Sequence, residues 1–202
     1  MDHCAKRTGR TWGALLAPST GGRVEVARLC RSQEEAHAAY RQGARTLKLK
    51  AGMSLEHETK LVRAVAALGT DVTLRIDVNR GWTFEETVSA WDAWHAVHPR
   101  IEFLEEPLQA ACFSRTTELQ DYGIPLAFDE SVRTKADVLN LAEQGLNGVV
   151  VLKPSLIGTP FEVLRLAQTA SQIGFKAMVS NLIEPSVVRL YCAHLADLIG
   201  SG

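Results

Sequence analysis

The chain has 202 residues, 46% of them hydrophobic and 22% charged, with a formal net charge of −1. This is the composition of a soluble globular chain long enough to bury one sizeable core, and it excludes a broad basic face for nucleic acid, an acidic tail and a low-complexity architecture. Cys4, Cys30, Cys112 and Cys192 form no CxxC pair, and the longest apolar run near the N-terminus, Ala14–Ala17, is far too short for a signal-peptide core or a membrane span, so free thiols in a cytoplasmic protein are expected.

Residues 1–22 hold one short apolar stretch between Thr8-Gly9-Arg10 and Ser19-Thr20-Gly21-Gly22 and read as the remnant of something larger, ahead of a main domain over 23–202. The first strand is predicted at Val24–Leu29, followed by a helix that starts at Ser32, with Glu35 three residues on, and stops at Gly43. Strand Thr46–Lys50 and a helix from near Ser54 to Gly69 come next, then strand Val72–Asn79 and a helix opened by Thr83 and Glu86. Strands Ile101–Glu105 and Leu126–Asp129 precede a helix from Thr134 to Gly145. Strand Gly148–Lys153 leads into a helix with Thr159, Pro160 and Glu162 at its start and Gly174 at its end. Strand Lys176–Ser180 and helix Val187–Ile199 complete the chain. Seven nearly continuous apolar strands alternating with helices make an α/β fold with a parallel sheet. No Gly-rich phosphate loop follows Leu29, which favours a TIM-type (β/α) barrel over an open doubly wound sheet.

Charged residues stand at the ends of these strands: Lys48 and Lys50, Asp77, Glu105, Asp129, Lys153 and Glu184, separated from Lys50 onward by 27, 28, 24, 24 and 31 residues. One βα unit takes about 30 residues, so the spacing distributes these side chains around a single rim. Alternation puts Lys48 and Lys50 on one face, where repulsion between two close ammonium groups favours the neutral amine on one of them and makes it a usable base. Arg75, Asp77 and Asn79 share a face in the same way, and charges inside a barrel need a partner or a metal. Adjacent carboxylates cannot both point inward along a regular strand, and the same-face rule together with the family resemblance described next selects Glu105 and Asp129, leaving Glu106 and Glu130 as supporting or surface groups. Asp77, Glu105 and Asp129, with no histidine or cysteine among them, select Mg²⁺ or Mn²⁺ over zinc. Lys153 ends a wholly apolar strand and needs an anion or a chemical role. Asn79, Ser180, Asn181 and Glu184 offer polar groups to a carboxylate substrate, though the last three serve equally well as a strand-to-helix cap. Trp91 and Trp94 read as core packing between helix and barrel, Trp82 as turn packing, and the histidines as surface or packing residues.

The motifs Leu47-Lys-Leu-Lys-Ala-Gly52, Arg75-Ile-Asp-Val-Asn79 with Gly81-Trp82, Phe103-Leu-Glu-Glu-Pro107, Phe128-Asp-Glu-Ser131, Val151-Leu-Lys-Pro-Ser-Leu-Ile-Gly158 and Ser180-Asn-Leu-Ile-Glu184 together resemble the enolase superfamily. The resemblance runs from about Arg23 to the C-terminus and lies in the muconate-cycloisomerase-like branch of o-succinylbenzoate synthases, dipeptide epimerases and N-succinylamino acid racemases, most closely the first. It implies that Asp77, Glu105 and Asp129 bind Mg²⁺, that Lys50 removes a proton α to a carboxylate, that Lys48 tunes it and that Lys153 faces the intermediate from the opposite side. It implies a lyase that dehydrates a cyclohexadiene carboxylate in menaquinone biosynthesis, through a metal-stabilised enolate. An epimerase or racemase acting on a dipeptide or N-acylamino acid, and a truncated non-catalytic metal-binding barrel, stay open as alternatives.

The resemblance also implies an N-terminal α+β capping domain, of which only something like the final segment is expected at Thr11–Leu16, and an eighth strand that would follow the helix Val187–Ile199. A barrel of seven units is therefore expected, with an open wall and sheet edges through which copies of the chain can associate. Glu184-Pro185 departs from the serine usual after that glutamate.

Overall fold

Leu47 and Leu49 leave one face of their strand for the apolar core while Lys48 and Lys50 leave the other toward acidic partners, and this period of two sets the layers of the whole domain. The computed structural model describes residues 6–9, 24–182 and 185–200. Its seven strands are β1 (Arg28–Cys30), β2 (Thr46–Lys50), β3 (Thr73–Asp77), β4 (Ile101–Glu105), β5 (Leu126–Phe128), β6 (Val149–Leu152) and β7 (Lys176–Val179). They form one sheet in chain order, every adjacent pair parallel. Among the described residues β1 pairs only with β2, and β7 only with β6.

Helices α1 (Gln33–Arg41), α2 (Leu55–Ala66), α3 (Phe84–Ala93), α4 (Thr116–Asp121), α5 (Lys135–Glu143), α6 (Pro154–Ile157), α7 (Pro160–Gln172) and α8 (Ser186–Ile199) connect and flank the strands. Short 3₁₀ segments at His95–Arg100 and Ala110–Arg115 were not anticipated from the sequence, nor were α4 and α6. The helix starts follow their capping residues. Thr83 with Glu86, Thr134 with Asp137 and Thr159 with Glu162 form reciprocal capping boxes, and Ser54 accepts from the backbone of His57. At α1, Ser32 accepts from Glu35, but Glu35 reaches back to the Arg31 N–H instead of closing the box.

The sheet curls on itself. Arg75 on β3 donates to the sulfur of Met178 on β7 at 2.9 Å, although three strands lie between them. Inside the curl sits a small cluster of Phe103, Ala127 and Val151, packed against Val149 and Met178. Outside it, Leu47, Leu49, Leu74, Ile76, Leu104, Val150 and Leu152 join the helices in the main core. Two apolar layers on either side of one parallel sheet are the (β/α) barrel arrangement expected from the sequence. Trp94 is fully buried there, its Nε1 donating to Thr59 Oγ1 at 3.1 Å and its ring 5.8 Å from that of Trp82. Trp91 stacks on His98 with ring centroids 3.7 Å apart.

The predicted first strand, Val24–Leu29, is displaced. Only Arg28–Cys30 pairs with β2, and Val26 is 67% exposed, because an edge strand keeps only those residues whose partners exist. β3 is shorter than the predicted Val72–Asn79, since Asn79 and Arg80 turn into the left-handed region at φ 48° and 59°. The reading of residues 1–22 as a capping remnant, with Thr11–Leu16, lies outside the described residues except for a helical turn at 6–8. Among the described residues no helix is long and apolar enough to cross a membrane.

Candidate active site at the strand ends

Parallel pairing in register lines up Lys50, Asp77 and Glu105 across β2, β3 and β4. Asp129 and Lys153 follow directly after β5 and β6, so all five side chains stand at the C-terminal end of the sheet. Lys48 Nζ lies 2.7 Å from Asp77 Oδ2 and 2.6 Å from Glu105 Oε2. Lys50 Nζ donates to Asp77 Oδ2 and to Asn79 Oδ1, both at 2.6 Å. Lys153 Nζ bonds Asp129 Oδ2, and Arg133 approaches Asp129 Oδ1 at 3.6 Å. The three carboxylates are buried, whereas the Lys48, Lys153 and Lys50 side chains are 16%, 15% and 41% exposed. Lys50 is thus the member of the group most open to an incoming substrate.

Burial pushes the Glu105 carboxyl up to about 7; Lys48 pulls it down while Asp77 and Asp129 push it further up. Burial also raises Asp77, but Lys48 and Lys50 together outweigh it and hold that carboxyl below the usual range. Lys48 responds in the opposite sense. Burial lowers it, yet Glu105 and Asp77 prevail and keep it above the ordinary lysine value. Lys48 is therefore the member of the Lys48/Lys50 pair that its carboxylate partners hold protonated.

A curled parallel sheet with lysines and carboxylates on one rim agrees with the sequence profile of the enolase C-terminal domain-like family, which matches residues 31–201. The chain belongs to the enolase superfamily. It is 36% identical over 161 residues to an o-succinylbenzoate synthase of Yersinia pestis (strain Pestoides F), a match covering 76% of this chain and 47% of that protein. The chain thus spans about half the length of the curated relatives it matches. Among solved structures it resembles a dipeptide epimerase from Enterococcus faecalis V583, at TM-score 0.82 and 25% identity over 97% of this chain and 59% of that one. A muconate lactonizing enzyme from Klebsiella pneumoniae matches at TM-score 0.81 and 25% identity, covering 92% and 53%.

Within this enolase-superfamily barrel the expected metal ligands lie on adjacent strand ends but do not form a closed site. Among the described residues no group of three or more His, Cys, Asp or Glu side chains is arranged to hold a metal ion. Lysine ammonium groups occupy the space between the acids instead, Lys48 bridging two of them. The donor set still fits a hard divalent cation. Glu105 Oε1 and Asp129 Oδ1 are buried without a hydrogen-bond partner, and an oxygen-seeking ion satisfies such atoms.

The remaining predicted residues divide. Asn79 joins the site, its Oδ1 accepting from Lys50 and its Nδ2 donating to Glu130 Oε1 at 3.0 Å. Ser180 follows β7, its backbone N–H donating to the Leu152 carbonyl at 2.8 Å. Asn181 is exposed, and its amide donates to the Leu182 carbonyl at 2.6 Å. Glu184 lies outside the described residues. Glu106, expected as a supporting or surface group, is buried and fully bonded to Arg80 and Ser131. Alternation also missed the partner of Arg75. A register shift at Leu74/Arg75 leaves Glu102 as the extra β4 residue, and its carboxylate accepts from Arg75 Nε at 2.6 Å.

Proposed function

We propose that this chain is the barrel part of a Mg²⁺-dependent lyase of the o-succinylbenzoate synthase type, which eliminates water from a cyclohexadiene carboxylate. The observation that carries this proposal is the rim itself, with Lys50 and Lys153 on strands four apart and three buried carboxylates between them, two of which keep an unbonded oxygen. The identity to o-succinylbenzoate synthases supports the lyase in particular.

Asp77, Glu105 and Asp129 would hold the cation, which when bound supplies positive charge to a substrate carboxylate and to the negative charge that proton removal develops. Lys50 takes the proton α to the carboxylate, and Asn79 Oδ1 at 2.6 Å fixes the direction of its side chain. The electron pair of the broken C–H bond forms the new double bond as the C–O bond breaks. Lys50 then returns the proton to the departing hydroxide as water, so one residue serves as base and acid. Lys153 stands on the far side, beside Asp129, and faces the developing charge. Lys48 moves no proton; it steadies Asp77 and Glu105.

Incubating the purified chain with the cyclohexadiene substrate and Mg²⁺, beside Lys50→Ala and a chelator control, tests this. Formation of o-succinylbenzoate, lost in both controls, supports the lyase. Two lysines facing each other from strand ends four apart along the sheet also suit a two-base epimerase, and there a parallel incubation with a dipeptide in deuterium oxide gives exchange with inversion while the cyclohexadiene substrate is not dehydrated. Neither reaction from a folded chain that binds metal leaves a non-catalytic barrel.

A further inference from the structure

Glu106 follows Glu105 directly yet turns away from the rim, with φ at +42°. Among the described residues only Asn79, Arg80 and Glu106 are non-glycine residues with positive φ, and all three lie in one cluster. Backbone strain of this kind persists only where the surroundings over-determine it, and it gathers where geometry must be held.

The surroundings here do so. Glu106 Oε1 accepts from the Ser131 backbone N–H at 2.6 Å, and Oε2 accepts from Ser131 Oγ and from Arg80 Nε, both at 3.1 Å. A second Arg80 nitrogen donates to Ser131 Oγ at 2.8 Å. The Arg80 N–H donates to the Glu106 carbonyl at 2.7 Å, and the Glu106 N–H donates to the Ala127 carbonyl at 3.0 Å. Arg80 lies just beyond Asp77, Glu106 beside Glu105, and Ser131 just beyond Asp129. One buried carboxylate thus ties together the three loops that carry the three acids, and both its oxygens are spent in doing so.

We infer that Glu106 is a positioning residue that fixes the loops carrying Asp77, Glu105 and Asp129 relative to one another, so that the three carboxylates converge when a divalent cation binds. This rests on the proposal that those three acids form the metal site. Groups that orient metal ligands typically change affinity by about 10- to 100-fold when removed.

The test is Mn²⁺ binding followed by electron paramagnetic resonance in wild type, Glu106→Gln and Ser131→Ala, with thermal melts of each in chelator. Glu106→Gln is expected to weaken Mn²⁺ by about 10- to 100-fold and to broaden the spectrum of the bound ion. Ser131→Ala keeps the backbone donor and loses only the hydroxyl, so it tests the inference even if Glu106→Gln fails to fold. It is expected to weaken Mn²⁺ on the order of tenfold without lowering the melting temperature. Unchanged affinity and line shape in the folded variants overturn the inference, even if the melting temperature falls. A wild-type chain that binds no Mn²⁺ sinks the metal-site proposal, and the inference with it; wild-type binding that the variants do not weaken sinks the inference alone.

Discussion

Asp77 and Glu105 stand opposite each other in the β3–β4 register, and the single ammonium of Lys48 bonds both, at 2.7 Å and 2.6 Å. Two buried carboxylates this close repel, and a shared cation is what lets the pair exist. The repulsion is not fully removed, since Asp77 still adds to the burial that pushes Glu105 up to about 7.

Lys48→Ala and Lys50→Ala are expected to fail in different ways. Lys50→Ala keeps the fold, because its side chain is 41% exposed, and lowers α-proton exchange by about 10²- to 10⁴-fold. Lys48→Ala strands two buried carboxylates and costs the metal-free protein about 3–5 kcal/mol. Denaturant unfolding in chelator, set beside deuterium exchange followed by NMR, separates the two.

Glu105 makes the metal-free protein sensitive to pH. Its folded value is raised from 4.5 to about 7, so its contribution to stability is fully present below 4.5 and is lost as pH rises through about 7. Glu105→Gln is expected to flatten the pH dependence of melting in chelator across that window. The same proton must leave for a cation to bind, so Mg²⁺ affinity rises with pH through about 7 and binding releases protons. Calorimetric titration in buffers of different ionisation enthalpy measures that release; an identical heat in each buffer would count against it.

Trp94 is the largest fully buried side chain of the helix-facing core, so Trp94→Ala is expected to cost about 3–5 kcal/mol. Thr59→Val removes only the acceptor of its indole N–H and costs about 1–3 kcal/mol. Urea unfolding of both variants checks the order.

Gly52 turns the chain after β2 at φ +102°, and a Cβ there would meet the Val78 carbonyl oxygen at 2.5 Å and Gly81 Cα at 3.3 Å. Backbone cannot give way as a side chain can. Gly52→Ala is expected to move the loop between Asp77 and Arg80 and to cost at least about 1 kcal/mol, read as a lower melting temperature together with weaker Mn²⁺ binding.

Much of the site was legible because a strand has a period of two and a βα unit a nearly constant length. Those regularities led to Lys48, Lys50, Asp77, Glu105, Asp129 and Lys153, which the structure brings to one end of the sheet. They failed where regular backbone stopped. Glu102 was missed because a register shift at Leu74/Arg75 gives β4 an extra residue, and Glu106 was left between a supporting and a surface role because its left-handed turn ends the alternation that had assigned its neighbour. Pro107 directly after Glu106 was the available signal that alternation should not be carried further.

The order of the seven strands, the inward face along their regular stretches and the charged residues at their ends were readable in the amino-acid order alone, because these follow from local backbone geometry. That Lys48 serves two carboxylates, that they hold it protonated, and that Glu106 binds three loops together became visible once the chain was folded. Charge and hydrogen bonding depend on distances of a few ångströms between groups that lie 25 to 57 residues apart in the chain, and those distances exist only once the sheet has curled.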